Sequence, residues 1–245
     1  MIEAIIYLLA ISATAAVGVF WAPPWGMLSH TVILTVIIVR SALVNQYLHQ
    51  QLLLPLALVP LLKITSLAML VTSMPPILSY YLSYVPLFAA AAVVMAILGY
   101  TRKQVGLSLK RFPVQLVVGL TGIIFGVAGY FVLAPEPVIA DLSLPEVVFP
   151  ALVLFACTGF IEEFVFRGVL QSSSTKVFGG WGVVYVSLLF TVANLGFVPG
   201  IGLVFVFVVA LFFGWVVRKT GSLLGVTLSH GVTNIVLFII APFFF

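Results

Sequence analysis

Cys157-Thr-Gly-Phe-Ile-Glu162-Glu163-Phe-Val-Phe-Arg167-Gly-Val-Leu170 places two acids and an arginine inside an apolar run long enough to cross a bilayer. A charged side chain at mid-membrane costs about 2.5 to 3.5 kcal/mol on insertion scales, so three together carry a penalty of about 8 to 10 kcal/mol before compensation. Glu163 and Arg167 stand i, i+4 with the acid first, the favourable order for a helical ion pair. They largely neutralise each other. Glu162 is left over, and an unpaired intramembrane carboxylate is by default a functional-site candidate.

The rest of the chain fits a membrane setting. Of 245 residues, 63% are hydrophobic and 7% charged, and mean hydropathy is +1.33; a soluble domain carries about a quarter charged residues. The fold class is therefore all-α, a polytopic transmembrane bundle. The few basic residues follow membrane topology rather than a phosphate-tracking stripe, which excludes nucleic acid as a partner and leaves the lipid bilayer. One cysteine, Cys157, permits neither a disulfide framework nor a thiolate zinc site, and reads as packing.

Apolar spans of sufficient length cover residues 2–21, 27–45, 52–73, 77–99, 113–134, 147–171, 181–197, 200–217 and 222–241, which makes eight or nine helices. Pro23-Pro24, Pro55, Pro60 and Pro75-Pro76 bound or interrupt the early ones. The first span is a helix rather than a signal peptide, since Glu3 replaces a basic n-region. Arg102, Lys103, Lys110 and Arg111 share one loop, Lys176 lies in another and Arg218-Lys219 in a third. With nine spans all three loops fall on one side, which the positive-inside rule makes cytoplasmic. The N-terminus is then cytoplasmic and the location a cell membrane, of the prokaryotic inner-membrane kind. Residues 1–112 form N-terminal helices with the basic loop, and 113–245 the core that carries the chemistry.

Several features take bland readings. Arg40 snorkels from a helix end, Lys63, which lies deeper, leaves a role in a polar cavity open but fits tilt or a shifted helix end better, and His30 and His49 are interfacial. Trp21, Trp25, Tyr80, Tyr81, Tyr84, Tyr100 and Trp181 read as an aromatic belt. Gly122-x-x-x-Gly126 and Gly221-x-x-x-Gly225 permit close helix packing.

Three polar stripes are not bland together. After Glu162, Glu163 and Arg167 come Ser187, Thr191 and Asn194 on one face of the next helix, then Thr227, His230 and Asn234 on one face of the last. At 1.5 Å per residue, Glu162 lies roughly 13 Å from the cytoplasmic end, His230 roughly 12 Å, Asn234 roughly 18 Å and Asn194 roughly 20 Å. These depths allow one wet cavity. A water activated by Glu162 and a carbonyl polarised by His230 and Asn234 suffice for amide hydrolysis. There is no Gly-x-Ser-x-Gly and no His-Glu-x-x-His, so serine and zincin chemistry lack their motifs. No cofactor is expected, and with one histidine in reach no metal is assigned.

Glu162-Glu163-x-x-x-Arg167, Phe190-x-x-x-Asn194 and His230-x-x-x-Asn234 resemble, in order and spacing, the three motifs of the CAAX protease and bacteriocin-processing family (CPBP, or Abi), the intramembrane glutamic proteases. The resemblance covers about residues 147 to 241. It implies that Glu162 activates water, that Glu163 and Arg167 support the site, and that His230 and Asn234 bind the oxyanion. The second motif departs, because Asn194 stands where the family has histidine and an amide takes up no proton. Three outcomes stay open: Glu162 acts alone while Asn194 positions water, His230 serves as the acid, or the fold persists without proteolysis.

The expected function is an intramembrane endopeptidase acting on a membrane-anchored or membrane-associated protein, by processing of a C-terminal tail, a prenylated end or a leader. The rival readings are a catalytically inactive CPBP-fold protein serving in binding or immunity, and a proton-coupled carrier, for which no inverted repeat speaks.

Overall fold

The computed structural model describes residues 2–44, 47–72 and 74–245. They are helical nearly throughout: α1 (Ile2–Phe20), α2 (Pro23–Leu43), α3 (Tyr47–Leu56), α4 (Leu58–Thr72), α5 (Pro76–Ile97), α6 (Phe112–Leu133), α7 (Leu144–Val153), α8 (Gln171–Phe178), α9 (Trp181–Ala193), α10 (Gly200–Thr220) and α11 (Leu224–Ile235). Prolines open α2, α5, α6 and α7 within their first two positions, where the missing N–H has no intrahelical partner to lose. Pro60 sits in the first turn of α4, so the chain breaks at Ala57 and resumes.

Eight helices among the described residues are long and apolar enough to cross a membrane, with α3 and α4 acting as one span and α7 to α8 as a single 35-residue span. α9 is the exception. Its 13 residues rise about 20 Å, short of the roughly 30 Å hydrocarbon core, so the span expected over 181–197 ends early. Leu9, Ile38, Val117, Ile124, Leu152 and Val208 are among many large apolar side chains left exposed, the lipid-facing surface such a bundle requires.

Between α7 and α8 the chain winds as π-helix over Leu154–Glu162 and Phe164–Leu170. Widened turns of this kind concentrate at functional sites, and here they hold the Glu162-Glu163 motif. Gly159 lets α11 approach this segment so closely that a Cβ would lie 2.8 Å from the Cα of Gly231. Gly122 does the same for α6 against α11, where a Cβ would meet the Ser229 carbonyl oxygen. The second glycine pair separates in role: Gly225 packs on Gln115, whereas Gly221, at φ +69°, ends α10 in the left-handed conformation.

At one end the loop 98–111 is stitched to the turn after α10. The Leu223 amide donates to the Gly106 carbonyl (2.8 Å), the Ser108 hydroxyl to the Gly221 carbonyl (2.8 Å), the Ser222 hydroxyl to the Ser108 carbonyl, and the Ser172 hydroxyl to the Gln104 carbonyl (2.7 Å). Arg102, Lys103, Lys110 and Arg111 stay exposed. Arg40, near the same end, pairs with Glu3 at 3.0 Å.

Three bland readings need correction. His30 is not interfacial but fully buried in mid-α2, its Nδ1 3.0 Å from the Thr14 hydroxyl. Trp21, Trp25, Tyr81 and Trp181 are exposed as a belt requires, yet Tyr84 and Tyr100 are buried and Tyr80 lines a cavity. Lys63 reaches no interface; it is fully buried. Periodicity places such residues on helices but not on the face that meets protein rather than lipid.

Gly122→Val should wedge α6 from α11, an overpacking cost of about 1 to 3 kcal/mol. A thermal melt in detergent should show a markedly lower Tm for this variant, while Gly200→Ala, with open space around its Cβ, should leave Tm unchanged.

Candidate active site

The charges that opened the sequence reading meet near the middle of the bundle. Glu163 is fully buried and its Oε1 accepts from Arg167 Nη1 at 3.0 Å and from His230 Nδ1 at 2.8 Å. A carboxylate only accepts, so the Nδ1 proton lies on the ring, and Nε2 is left pointing toward Glu162 Oε2, 3.7 Å away. That gap is too long for a direct hydrogen bond. Arg167 also donates to the Ala210 carbonyl (3.4 Å), and its guanidinium lies over the Phe190 ring at 4.3 Å and near the Phe213 ring at 5.8 Å. One arginine thus ties the π-helical segment to α9 and α10, and Glu163 extends the tie to α11 through His230.

Glu162, unpartnered in the sequence reading, has a partner the motifs do not contain. The Tyr84 hydroxyl, from α5, donates to Glu162 Oε1. Asn234 Nδ2 donates to the Thr158 hydroxyl at 2.8 Å, and that hydroxyl donates in turn to the Leu154 carbonyl. The carboxamide of Asn234 is therefore fixed by a residue one turn before Glu162. Ser187 and Thr191 do nothing comparable: each returns its hydroxyl to the carbonyl four residues earlier.

Asn194 lies where α9 stops, its Nδ2 bonded back to the Phe190 carbonyl at 2.9 Å. A helix ending at membrane depth exposes carbonyls that hydrocarbon cannot satisfy. Lys63 supplies the donors, reaching the Ala193 carbonyl at 3.2 Å and the Leu195 carbonyl at 3.0 Å, with its ammonium 4.9 Å from the Phe197 ring centre. The buried cation and the broken helix explain each other.

Glu162, Arg167, Asn194, His230 and Asn234, together with Tyr84, line one cavity of about 450 Å³ whose other walls are mainly Leu, Met, Val and Phe. Cys157 is a buried free thiol in the hydrophobic core and does not line it. Among the described residues no three His, Cys, Asp or Glu side chains converge as metal ligands do. The structure thus brings Glu162, Glu163, Arg167, Asn194, His230 and Asn234 together, while Ser187, Thr191 and Thr227 stay outside the cavity lining. Tyr84, Thr158 and Lys63 were missed. An intramembrane lysine is itself a signal, and Thr158 stands four residues before Glu162, but nothing in Tyr80-Tyr-x-x-Tyr84 distinguishes a site tyrosine from a belt tyrosine.

Chemically the cavity offers a carboxylate beside an imidazole and two carboxamides, inside apolar walls that strengthen every electrostatic interaction within. Two acids face two basic groups, so the cluster is close to neutral when both acids and both bases are ionised. Residues 144–236 match the family model described as type II CAAX prenyl endopeptidase Rce1-like. No curated protein and no solved structure matches the chain.

Removing one member of the buried cluster strands the others. Glu163→Gln and Arg167→Ala should each cost about 3 to 5 kcal/mol, read as a loss of the monodisperse fraction in size-exclusion chromatography from detergent. Lys63→Met should lower that fraction as well, because two buried carbonyls at the end of α9 lose a charged donor.

Proposed function

We propose that this chain, whose residues 144–236 match the Rce1-like family model, is an intramembrane endopeptidase of the CAAX protease (CPBP) family that depends on a glutamate and acts on a membrane-associated protein. The observation that carries the reading is the placement of the Glu162 carboxylate against His230 and Asn234 on one wall of an apolar cavity. Tyr84 occupies Oε1 of Glu162 and so leaves Oε2, on the side of His230, to receive the proton of an attacking water. The water oxygen bonds to the scissile carbonyl carbon. The resulting oxyanion forms beside the His230 ring and is held by the Asn234 carboxamide. Glu162 then returns the proton to the leaving amine as the C–N bond breaks, which restores the carboxylate and releases two peptides.

Glu163 and Arg167 position this machinery rather than touch the substrate: Glu163 fixes the ring of His230, and Arg167 fixes Glu163. Asn194 takes the place of the family's second-motif histidine and orients water without titrating. Its position is set by the Lys63 clamp on either side. Residues 113–245 carry the motifs, while the helices before them contribute Tyr84 and Lys63. The protein sits in a cell membrane with its N-terminus and basic loops cytoplasmic. Substrates are membrane-anchored proteins trimmed at a C-terminal tail, a prenylated end or a leader.

Cleavage of a panel of tagged membrane-anchored reporters tests the reading. Glu162→Gln should lower kcat by at least about 100-fold, the scale of a lost general base, with an unchanged elution profile and far-UV circular dichroism. Tyr84→Phe should lower it by about 10-fold, since the carboxylate loses one charge-assisted hydrogen bond. A Glu162→Gln variant that cuts at the wild-type rate would remove the glutamate from the mechanism.

A further inference from the structure

The cavity has a direction. On the side of Glu162 facing the basic loops, Val165, Val169, Leu170, Ser173 and Ser174 have no exposed surface, and the stitched loops around Gly106 and Gly221 lie beyond them. In the other direction the walls are the far ends of the helices: Leu70 in the last turn of α4 and Met74 after it, Tyr80 early in α5, Leu133 at the end of α6, Phe197 after α9, and Phe238 beyond α11. Leu70 and Phe197 are 52% and 48% exposed while lining the cavity. They mark its mouth.

Charge assigns the two ends to the two sides of the membrane. Arg40, Lys176, Arg218-Lys219 and the four bases of the 98–111 loop gather at the sealed end. The segments at the mouth end, residues 20–24, 74–76, 134–146 and 195–200, contain no Lys or Arg and carry Glu136, Asp141 and Glu146. Short loops obey the positive-inside bias strongly, so the sealed end faces the cytoplasm.

We propose that the substrate enters from the non-cytoplasmic side: an apolar segment of a membrane-anchored polypeptide, its scissile bond in the outer half of the bilayer and its outer flank neutral or basic. The apolar walls match such a segment, and an acidic flank would meet the three carboxylates of the mouth end. A C-terminus prenylated in the cytoplasm arrives at the sealed face, so this inference narrows the three substrate classes proposed above and drops the prenylated end. This inference deepens the protease reading and rests on it for the identity of the occupant.

Labelling with a membrane-impermeant maleimide tests it without any catalysis, so its failure is distinct from failure of the Glu162→Gln experiment. Phe197→Cys is compared with the exposed loop variant Lys103→Cys, in right-side-out and inside-out membrane vesicles; buried Cys157 serves as the unlabelled background. Phe197→Cys should label only in right-side-out vesicles and Lys103→Cys only in inside-out ones. The reverse pattern, or no labelling of Phe197→Cys in either, overturns the proposal. Leu70→Cys, also exposed while lining the cavity, repeats the measurement should Phe197→Cys fail to fold.

Discussion

Arg167 cannot stand alone in an apolar bundle, and the structure around it follows from meeting that constraint. Its charge is taken by Glu163 one turn earlier, its faces by Phe190 and Phe213, and an Nη2 donor by the Ala210 carbonyl. These partners come from its own helix, from α9 and from α10, so satisfying one guanidinium fixes where the π-helical segment, α9 and α10 sit relative to each other. Glu163 then has acceptor capacity to spare, and His230 on α11 uses it. The neighbouring Glu162 accepts from the Tyr84 hydroxyl on Oε1 and turns Oε2 toward His230 Nε2, 3.7 Å away. A buried ion pair is a weak source of stability; here its effect is geometric, since it holds an imidazole beside a carboxylate that has no full ionic partner.

A second constraint shapes the space in front of those groups. Had α9 run the full depth of the membrane, its continuation would fill the region that Asn194, Phe197 and Val198 now border. Ending it early leaves bare carbonyls, and Lys63 on α4 is the donor that makes the ending tolerable. The cost of burying a lysine and the cost of breaking a helix in hydrocarbon are thus offset against each other. Their joint product is a cavity with a polar floor and apolar walls.

Much of this was legible in the sequence because charge and hydropathy are one-dimensional signals. The membrane class, the spans, the Glu163–Arg167 pair and the convergence of Glu162, Asn194, His230 and Asn234 all follow from counting residues along helices. What failed did so for physical reasons. The 147–171 helix winds with a wider turn than the assumed 3.6 residues, and α9 ends at Asn194 although its apolar run continues. Tyr84, Lys63 and His30 were given to the interface because in a membrane protein both faces of a helix are apolar. Hydropathy therefore does not say which face meets protein. Tyr84 comes from the first 112 residues, for which the sequence offered no motif.

In the proposed reaction water attacks the scissile bond directly, and no acyl group ever rests on the protein. Intact-mass analysis of the enzyme under single-turnover conditions, with hydroxylamine present to intercept any ester or thioester, tests that most directly. Direct attack by water leaves the enzyme mass unchanged at every time point and gives a product ending in an ordinary carboxylate. An acyl adduct on Cys157 or on any hydroxyl, or a hydroxamate product, would contradict it.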